Sequence, residues 1–217
     1  MRRLLLTATS TTLVAAAIGC GGPRNTREDT MPEVRAFFQA QGKTVVTFLG
    51  YSAAEYEDRA AMLAHAEDIL AEHDPKTTIV NIGATQDGIG AVYDLARARG
   101  FTTTGIVSSQ AKDAKATVSP NVDHVFFVED ATWGGFLEGK SELAPTSAAM
   151  VDVSDRIVAI GGGDIARDEL VAARRAGKNV RFIPADLNHK IARDKAREKG
   201  QPEPTDFRGA AATAFGG

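Results

Sequence analysis

Residues 156–164 read RIVAIGGGD, a short apolar run that ends in three glycines and an aspartate. A run of this length is typical of a buried β-strand, and the glycine turn with Asp164 is typical of the start of a helix. The helix is expected over residues 164–176, because Gly177 can end it, and residues 179–183 form the next short strand. The stretch therefore predicts a strand, a helix and a second, parallel strand.

The same alternation of strand and helix extends toward the N-terminus. Further strands are predicted over residues 44–49, 77–82, 102–107 and 124–128, and further helices over residues 52–73, 87–99, 146–153 and 187–199. Ser52 and Glu55 form a capping box at the start of the first of these helices. Because the strands are mostly apolar throughout rather than alternating, both faces of their sheet are expected to be covered. The sequence predicts a single doubly wound α/β domain with a parallel sheet of about six strands.

Composition excludes several classes of protein. The chain has 217 residues, with 25 Lys and Arg against 28 Asp and Glu, a formal charge of −3 that does not suit a nucleic-acid binder. With 43% hydrophobic residues it can form a globular core, and a single cysteine excludes an internal disulfide or a cysteine-rich zinc site. The four histidines are not at ligand spacing, so no metal site is predicted.

The N-terminus has the pattern of an export signal. Arg2 and Arg3 precede an uncharged stretch, and Cys20 follows small residues, which resembles the lipobox of bacterial lipoproteins. The apolar stretch of about 15 residues is short for a membrane-spanning helix. We expect a signal peptide over residues 1–19, a diacylglycerol on Cys20, contact with a lipid bilayer, and a place in the cell envelope, at the outer membrane in a Gram-negative cell. A plain secretory signal and a start at Met31 are the alternatives.

These ends divide the chain. Residues 20–42 are expected to be the lipidated cysteine and a tether, residues 43–200 the folded domain, and residues 201–217 a disordered tail. The basic side of the helix over residues 187–199 is interpreted as a solvated face, with contact to an anionic lipid surface as the alternative.

Three glycine-rich loops follow strands, at the sheet edge where doubly wound domains bind ligands. Glycines allow the backbone to approach a phosphate, and the N-terminus of the next helix supplies N–H donors. The candidate ligand-binding residues are Gly50, Ser52, Gly83, Asp87, Gly88, Gly162, Gly163 and Asp164. No Lys-Ser or Lys-Thr pair follows Gly88, which argues against a P-loop. The glycines of the loops are expected to converge at one edge of the sheet.

One of these loops also fits a dinucleotide fingerprint. Residues 161–166 match G-x-G-x-x-A after a strand, and Asp186 ends the following strand. However, this unit is the last strand–helix pair of the predicted domain, whereas a dinucleotide fold needs further strands after the fingerprint. Dinucleotide binding is kept as an alternative.

Both the loop over residues 83–92 and the segment over residues 154–163 with Glu169 resemble the Rossmann-like superfamily of lonely-guy phosphoribohydrolases, lysine-decarboxylase-like proteins and molybdenum-cofactor carriers. The enzymes of this group carry P-G-G-x-G-T-x-x-E after an Arg-Lys pair. Gly162, Gly163 and Glu169 match, while Ile165 and Ala166 replace the glycine and the threonine. Thr146 and Ser147 stand at the Arg-Lys positions.

The resemblance implies a Rossmann-like fold and a nucleotide or pterin-type ligand, with Glu169 as the remaining catalytic candidate. Because groups that stabilise developing charge are missing, we expect binding of a nucleotide-like or phosphorylated small molecule without turnover. An N-glycosidic hydrolase of nucleoside monophosphates and a structural lipoprotein without a ligand are alternatives. The loop over residues 133–136 is a candidate flap over a base, with ordinary loop packing as the alternative. A homodimer is left open.

Overall fold

The computed structural model describes residues 25–215. The signal peptide predicted over residues 1–19 and the lipidation predicted at Cys20 lie outside the described residues. No helix within residues 25–215 has both the length and the apolar character needed to cross a bilayer.

Seven strands form one sheet in the order β1-β5-β4-β3-β2-β6-β7, and every neighbouring pair is parallel. The strands are β1 (Asn25–Glu28), β2 (Thr44–Gly50), β3 (Thr78–Ile82), β4 (Thr102–Ser108), β5 (His124–Val128), β6 (Arg156–Ile160) and β7 (Asn179–Ile183). This confirms the doubly wound α/β class, with seven strands rather than six. The six predicted strands are all present within one residue of their predicted ends, because burial on both faces requires apolar side chains at nearly every position.

Helices cover both faces of the sheet. They are α1 (Met31–Gln41), α2 (Arg59–Ala71), α3 (Val92–Ala98), α4 (Gln110–Asp113), α5 (Pro145–Val153), α6 (Asp164–Arg175), α7 (His189–Glu198) and α8 (Gly209–Phe215), with a 3-10 turn at Gly88–Ala91. Successive strand residues alternate between two cores: Val158 packs in the core under α2 and α3, and Ile157 packs in the core under α1, α5 and α6.

The seventh strand corrects the predicted tether. Strand β1 reads NTRE and all four of its residues are exposed, so it has no hydrophobic pattern that a sequence analysis could detect. It pairs with β5 at the edge of the sheet, and the α1 that follows buries Val34 and Phe38. Residues 25–42 therefore belong to the folded domain, and the prediction of a tether is wrong for them.

The C-terminal segment also folds. Helix α8 packs against α6, and Ala211 at its centre is completely buried. Its backbone N–H donates to the carbonyl of Gly162 at 3.0 Å. The segment GAAATAF is too short and too weakly amphipathic to be recognised alone, since its stability comes from docking rather than from helix propensity. The prediction of a disordered tail is wrong for residues 209–215.

The predicted start of α2 is wrong as well. The helix begins at Arg59, and the Asp58 side chain caps it by accepting from the N–H of Ala61 at 2.8 Å. The Glu55 N–H donates to the Ser52 carbonyl within a turn, and the Glu55 carboxylate accepts from the N–H of Gly88 at 3.1 Å. Glu55 thus holds a neighbouring loop instead of completing a capping box.

Candidate functional site

The glycine loops meet at one edge of the sheet. Strands β3, β2 and β6 are adjacent, so the loops that follow them leave the same edge side by side. The Ile89 N–H donates to the carbonyl of Tyr51 at 2.7 Å, which joins the loops after β3 and β2. A Cβ atom built on Gly162 would lie 3.8 Å from the Cα of Gly50, which places the loop after β6 against the same point.

Two tyrosine rings fill the point where these loops meet. Tyr51 and Tyr56 are 3% and 4% exposed, and their ring centres are 5.1 Å apart. The Tyr56 hydroxyl donates to the carbonyl of Ile160 at 2.7 Å, and the Tyr51 hydroxyl bonds the carbonyls of Ala185 and Arg208. A Cβ atom on Gly50 would lie 2.0 Å from the Tyr56 hydroxyl oxygen. Gly50 therefore makes room for a tyrosine, and the space between the loops is occupied by protein.

The other predicted ligand-binding residues differ in accessibility. Gly88 is buried with its N–H bonded to Glu55, while Ser52 and Asp87 are exposed at the rim and Gly83 is half-buried. Gly162 is buried under Ala211. Gly163 caps α6 with open space where a Cβ would stand. The accessible part of the predicted site thus shifts toward the first turn of α6.

Asp164 lies in that first turn and is 79% exposed at its side chain. Its carboxylate pairs with the Arg167 guanidinium at 2.8 Å, and the same guanidinium bonds Asp168. Asp164 therefore repels an incoming anion less than an unpaired carboxylate would. Residues 25–215 contain no cluster of three or more side chains suited to a metal ion.

Glu169 belongs to α6 and is 4% exposed, where α6 packs against α5. The Ser147 hydroxyl donates to its carboxylate at 2.6 Å, and the Gly135 N–H donates to the Ser147 oxygen at 2.7 Å. Burial raises the pKa of Glu169 to about 7; the Ser147 hydrogen bond opposes this rise and the charge of Asp168 adds to it. Within the described residues Glu169 forms no ion pair, so its charge has no cation to balance it.

The loop after β5 is fixed across the starts of α5 and α6. The Asp130 carboxylate accepts from the N–H groups of Thr146 and Thr132 at 2.9 and 2.8 Å, and the Asp168 carboxylate accepts from the N–H of Phe136 at 2.9 Å. Burial opposes the charge of Asp130, but these hydrogen bonds outweigh it and hold its pKa below the usual range. Asp130 is not among the site residues predicted from the sequence, although an aspartate two residues after a strand is a signal for a loop anchor.

Two large apolar side chains are exposed beside this loop. Trp133 is 48% exposed and Ile165 is 38% exposed, and they are the exposed large hydrophobic residues of the part that the structure describes. A Cβ atom on Gly134 would lie 3.4 Å from the Ile165 side chain, so the loop carrying Trp133 adjoins the first turn of α6. We call Trp133, Ile165 and the first turn of α6 the apolar rim.

Two surface grooves lie elsewhere on the domain. A groove of about 270 Å³ at the ends of β7 and the start of α2 is lined by Glu57, Asp58, Ala61, Met62, His65, Pro184, Ala185 and Asp186. A groove of about 300 Å³ at the opposite edge is lined by Arg35, Phe38, Gln39, Gly42, Lys43, Val45, Asp152, Val153 and Asp155. Neither includes the glycine loops.

The strand order defines the class of this protein as a doubly wound, all-parallel α/β domain. No family model matches the chain, and no curated protein matches it. It is similar in structure to the molybdenum cofactor carrier protein MCP from Chlamydomonas reinhardtii, at 22% identity over 64% of this chain and 76% of that chain, with a TM-score of 0.46. It is also similar to the molybdenum cofactor binding protein from the phototrophic bacterium Rippkaea orientalis, at 16% identity over 64% and 76% of the two chains, with a TM-score of 0.48. It is also similar to the structure of TM1055, at 22% identity over 63% of this chain and 72% of that chain, with a TM-score of 0.45.

Proposed function

We propose that this protein is a lipid-anchored envelope protein whose domain binds a small molecule with a flat ring and a phosphate, without turning it over. The observation that carries the binding proposal is the apolar rim. Trp133 and Ile165 are both exposed, and the loop that carries Trp133 adjoins the first turn of α6, at the edge of the sheet where parallel α/β domains bind their ligands.

The rim offers two complementary contacts. The Trp133 indole presents a face on which a purine or pterin ring stacks. Gly163 caps α6 without a side chain, so the N–H groups of the first turn are available to a phosphate. Because the Asp164 carboxylate pairs with Arg167, its charge is partly balanced. A nucleotide-like or pterin-type ligand uses both contacts.

The residues around Glu169 argue against turnover. Hydrolysis of an N-glycosidic bond needs groups that stabilise the charge developing in the transition state. Thr146 and Ser147 stand at the positions of the Arg-Lys pair in the resembling enzymes, and both are buried. Glu169 bonds Ser147 beneath Gly135 rather than facing the rim.

The binding test uses the single tryptophan of the chain, Trp133, as an intrinsic probe. Titration with AMP, a pterin monophosphate and molybdenum cofactor is expected to quench its fluorescence saturably with at least one of them, and that ligand is expected to raise the melting temperature. Trp133→Ala should abolish the thermal shift, whereas Lys140→Ala, in the same loop, should retain it. Absence of both signals across the panel contradicts the proposal.

The turnover test incubates the protein with AMP and measures free adenine by chromatography. We expect no release above the background of Glu169→Ala. A steady release that Glu169→Ala abolishes favours the alternative, a phosphoribohydrolase-like enzyme.

The proposed anchoring rests on the sequence around Cys20 and implies a position in the cell envelope, at the outer membrane if the cell is Gram-negative. The test is metabolic labelling with an alkyne fatty acid. The protein should be labelled and recovered with membranes, and Cys20→Ser should lose both properties. Unchanged labelling in Cys20→Ser contradicts the anchoring proposal.

A further inference from the structure

The two edges of the sheet differ in charge. Because all strands are parallel, the residues that precede them lie on one edge, which we call the amino edge. Three lysines lie at the starts of strands in one half of the sheet: Lys76 just before β3, Lys43 before β2 and Lys178 before β7. The opposite edge, where strands end and α2 and α6 begin, is rich in carboxylates, among them Glu28, Asp29, Glu57, Asp58, Asp87, Glu129, Asp164 and Asp186.

Lys76 is exposed, and Lys43 and Lys178 are half-buried. Lys178 donates to the carbonyls of Asp152 and Ser154 at 2.9 and 2.8 Å, and Lys43 donates to the Thr102 hydroxyl at 3.3 Å. Within residues 25–215 none of the three lysines forms an ion pair with a carboxylate.

The carboxylates of the amino edge have partners of their own. Asp155 accepts from the N–H of Val45 at 2.8 Å, and Asp74 accepts from the N–H of Lys76 at 2.9 Å. Asp152 pairs with Arg35, and Asp123 accepts from the N–H of Thr103 at 3.0 Å. The ion pairs with Arg35 and Arg97 offset the charges of Asp152 and Asp123, whereas the neutral N–H partners of Asp155 and Asp74 do not, so these two carboxylates oppose part of the lysine charge.

The amino edge is also the edge nearest the predicted anchor. Asn25 is the first residue of β1, and its N–H donates to the carbonyl of Asp123 at 3.0 Å just before β5. The chain from Cys20 to Asn25 spans at most about 17 Å when fully extended. Strand β1 lies at one end of the sheet and the three lysines lie toward the other end. The anchor and the lysines thus provide two separate points of contact with one surface.

We propose that the amino edge docks on an anionic phospholipid surface, with Lys43, Lys76 and Lys178 against the headgroups. This proposal rests on the lipid anchor of the proposed function. The apolar rim, at the opposite edge, then faces the aqueous phase. Basic residues attract an anionic bilayer only within about a Debye length, roughly 8 Å at physiological salt, and the anchor holds the amino edge close enough for the lysines to come within that distance.

Helix α7 is a weaker candidate for this contact, although its sequence is basic. Lys190 pairs with Asp194 at 2.6 Å, and Arg193 and Arg197 approach Glu203 at 3.8 and 3.6 Å. The helix follows the end of β7 and therefore starts at the opposite edge. Its charges are largely balanced within the protein.

The test places single probes at the two ends of β3 in the full lipidated protein. Thr77→Cys and Gln86→Cys are both exposed, the first before the strand and the second after it. Each carries a fluorescent donor, and the vesicles carry a headgroup acceptor in phosphatidylcholine with or without phosphatidylglycerol. With the anionic lipid, transfer from residue 77 should exceed transfer from residue 86 by about twofold or more, since the strand separates them by about 3.3 Å per residue.

Charge removal supplies the matched control. Replacing Lys43, Lys76 and Lys178 by glutamine should equalise transfer from the two probes, as should vesicles without phosphatidylglycerol. Replacing Lys190, Arg193 and Lys199 by glutamine should leave the difference intact. Equal transfer from both probes in a protein whose mass shows the acyl group overturns the docking proposal alone, whereas a chain without an acyl group overturns both this proposal and the anchor.

Discussion

At the residue scale, the same glycines that predict a phosphate site serve here to pack tyrosines. A glycine after a strand satisfies either requirement, since both need the backbone to approach another group closely. The two tyrosines at positions 51 and 56 distinguish the packing role from a phosphate site, because their rings need space beside Gly50 and Gly161. A sequence shows the glycine but not the ring that occupies the space, which is why the convergence of the loops was predictable and the filling of their meeting point was not.

Gly50→Ala tests this packing role. The added Cβ would lie 2.0 Å from the Tyr56 hydroxyl oxygen and 3.0 Å from the carbonyl of Ile160, so the ring must move and lose its hydrogen bond. We expect a loss of about 3 kcal/mol in the free energy of unfolding, measured in urea. Gly163→Ala is the matched control, because open space surrounds its Cβ position, and its stability should change by less than about 1 kcal/mol. Equal effects of the two substitutions contradict the packing role.

Glu169 gives the domain a pH-dependent stability. Its pKa in the folded protein is raised to about 7, so between the unfolded value and pH 7 the folded state binds more protons than the unfolded state. The contribution of Glu169 to the free energy of unfolding is therefore fully present below about pH 4.5, and it is lost as the pH rises through about 7. Glu169→Gln keeps the acceptor for Ser147 and removes the titration.

We expect Glu169→Gln to match the wild type near pH 5 and to exceed it by up to about 3 kcal/mol at pH 8, in urea unfolding at both values. Glu138→Gln, at an exposed position, should follow the wild type throughout. If the unfolding free energies of the wild type and of Glu169→Gln change in parallel with pH, the raised pKa of Glu169 is contradicted.

At the scale of elements, burial decides what a sequence predicts. Strands β5, β6 and β7 agree with the prediction to the residue, because each is an uninterrupted short run between turn residues. Strand β1 is wholly exposed and polar, and it exists because β5 offers an open edge to pair with. Helix α1 has local signals, Thr30, Pro32 and Glu33, but they lie next to a charged segment that was interpreted as a tether.

Helix α8 provides the element-scale prediction. Ala211 is fully buried beside Gly162, and an aspartate there would place an unpaired charge in the contact with α6. Ala211→Asp should detach α8, so that the amides of residues 209–215 exchange rapidly in hydrogen–deuterium exchange and stability falls by about 2 kcal/mol. Ala214→Asp, an exposed position in the same helix, should retain the protection. Similar exchange in both variants means that α8 does not depend on this contact.

At the scale of the whole molecule, parallel strands place the two proposed functions at opposite edges of the sheet. The apolar rim lies where strands end, and the lysines of the amino edge lie where strands begin. The sequence predicts that separation in outline, because it predicts the parallel sheet. It does not predict that Asp130, Ser147 and Asp168 hold the loop after β5, since these contacts join residues 12 to 32 positions apart.

The extent of the domain is the prediction that concerns the whole fold. A chain that begins at residue 43, as the sequence analysis suggested, lacks β1 and α1, although Val34 and Phe38 are buried in the core beneath Phe126. It also leaves β5, an apolar strand, as an unprotected edge. Compared with a chain that begins at residue 25, it should lose at least about 4 kcal/mol in urea unfolding, from burial of two large side chains alone. Light scattering should show concentration-dependent association of the shorter chain, because an open edge strand pairs with other copies. If the shorter chain is as stable and as monodisperse as the longer one, the first two elements are accessories to the fold and the domain does begin at residue 43.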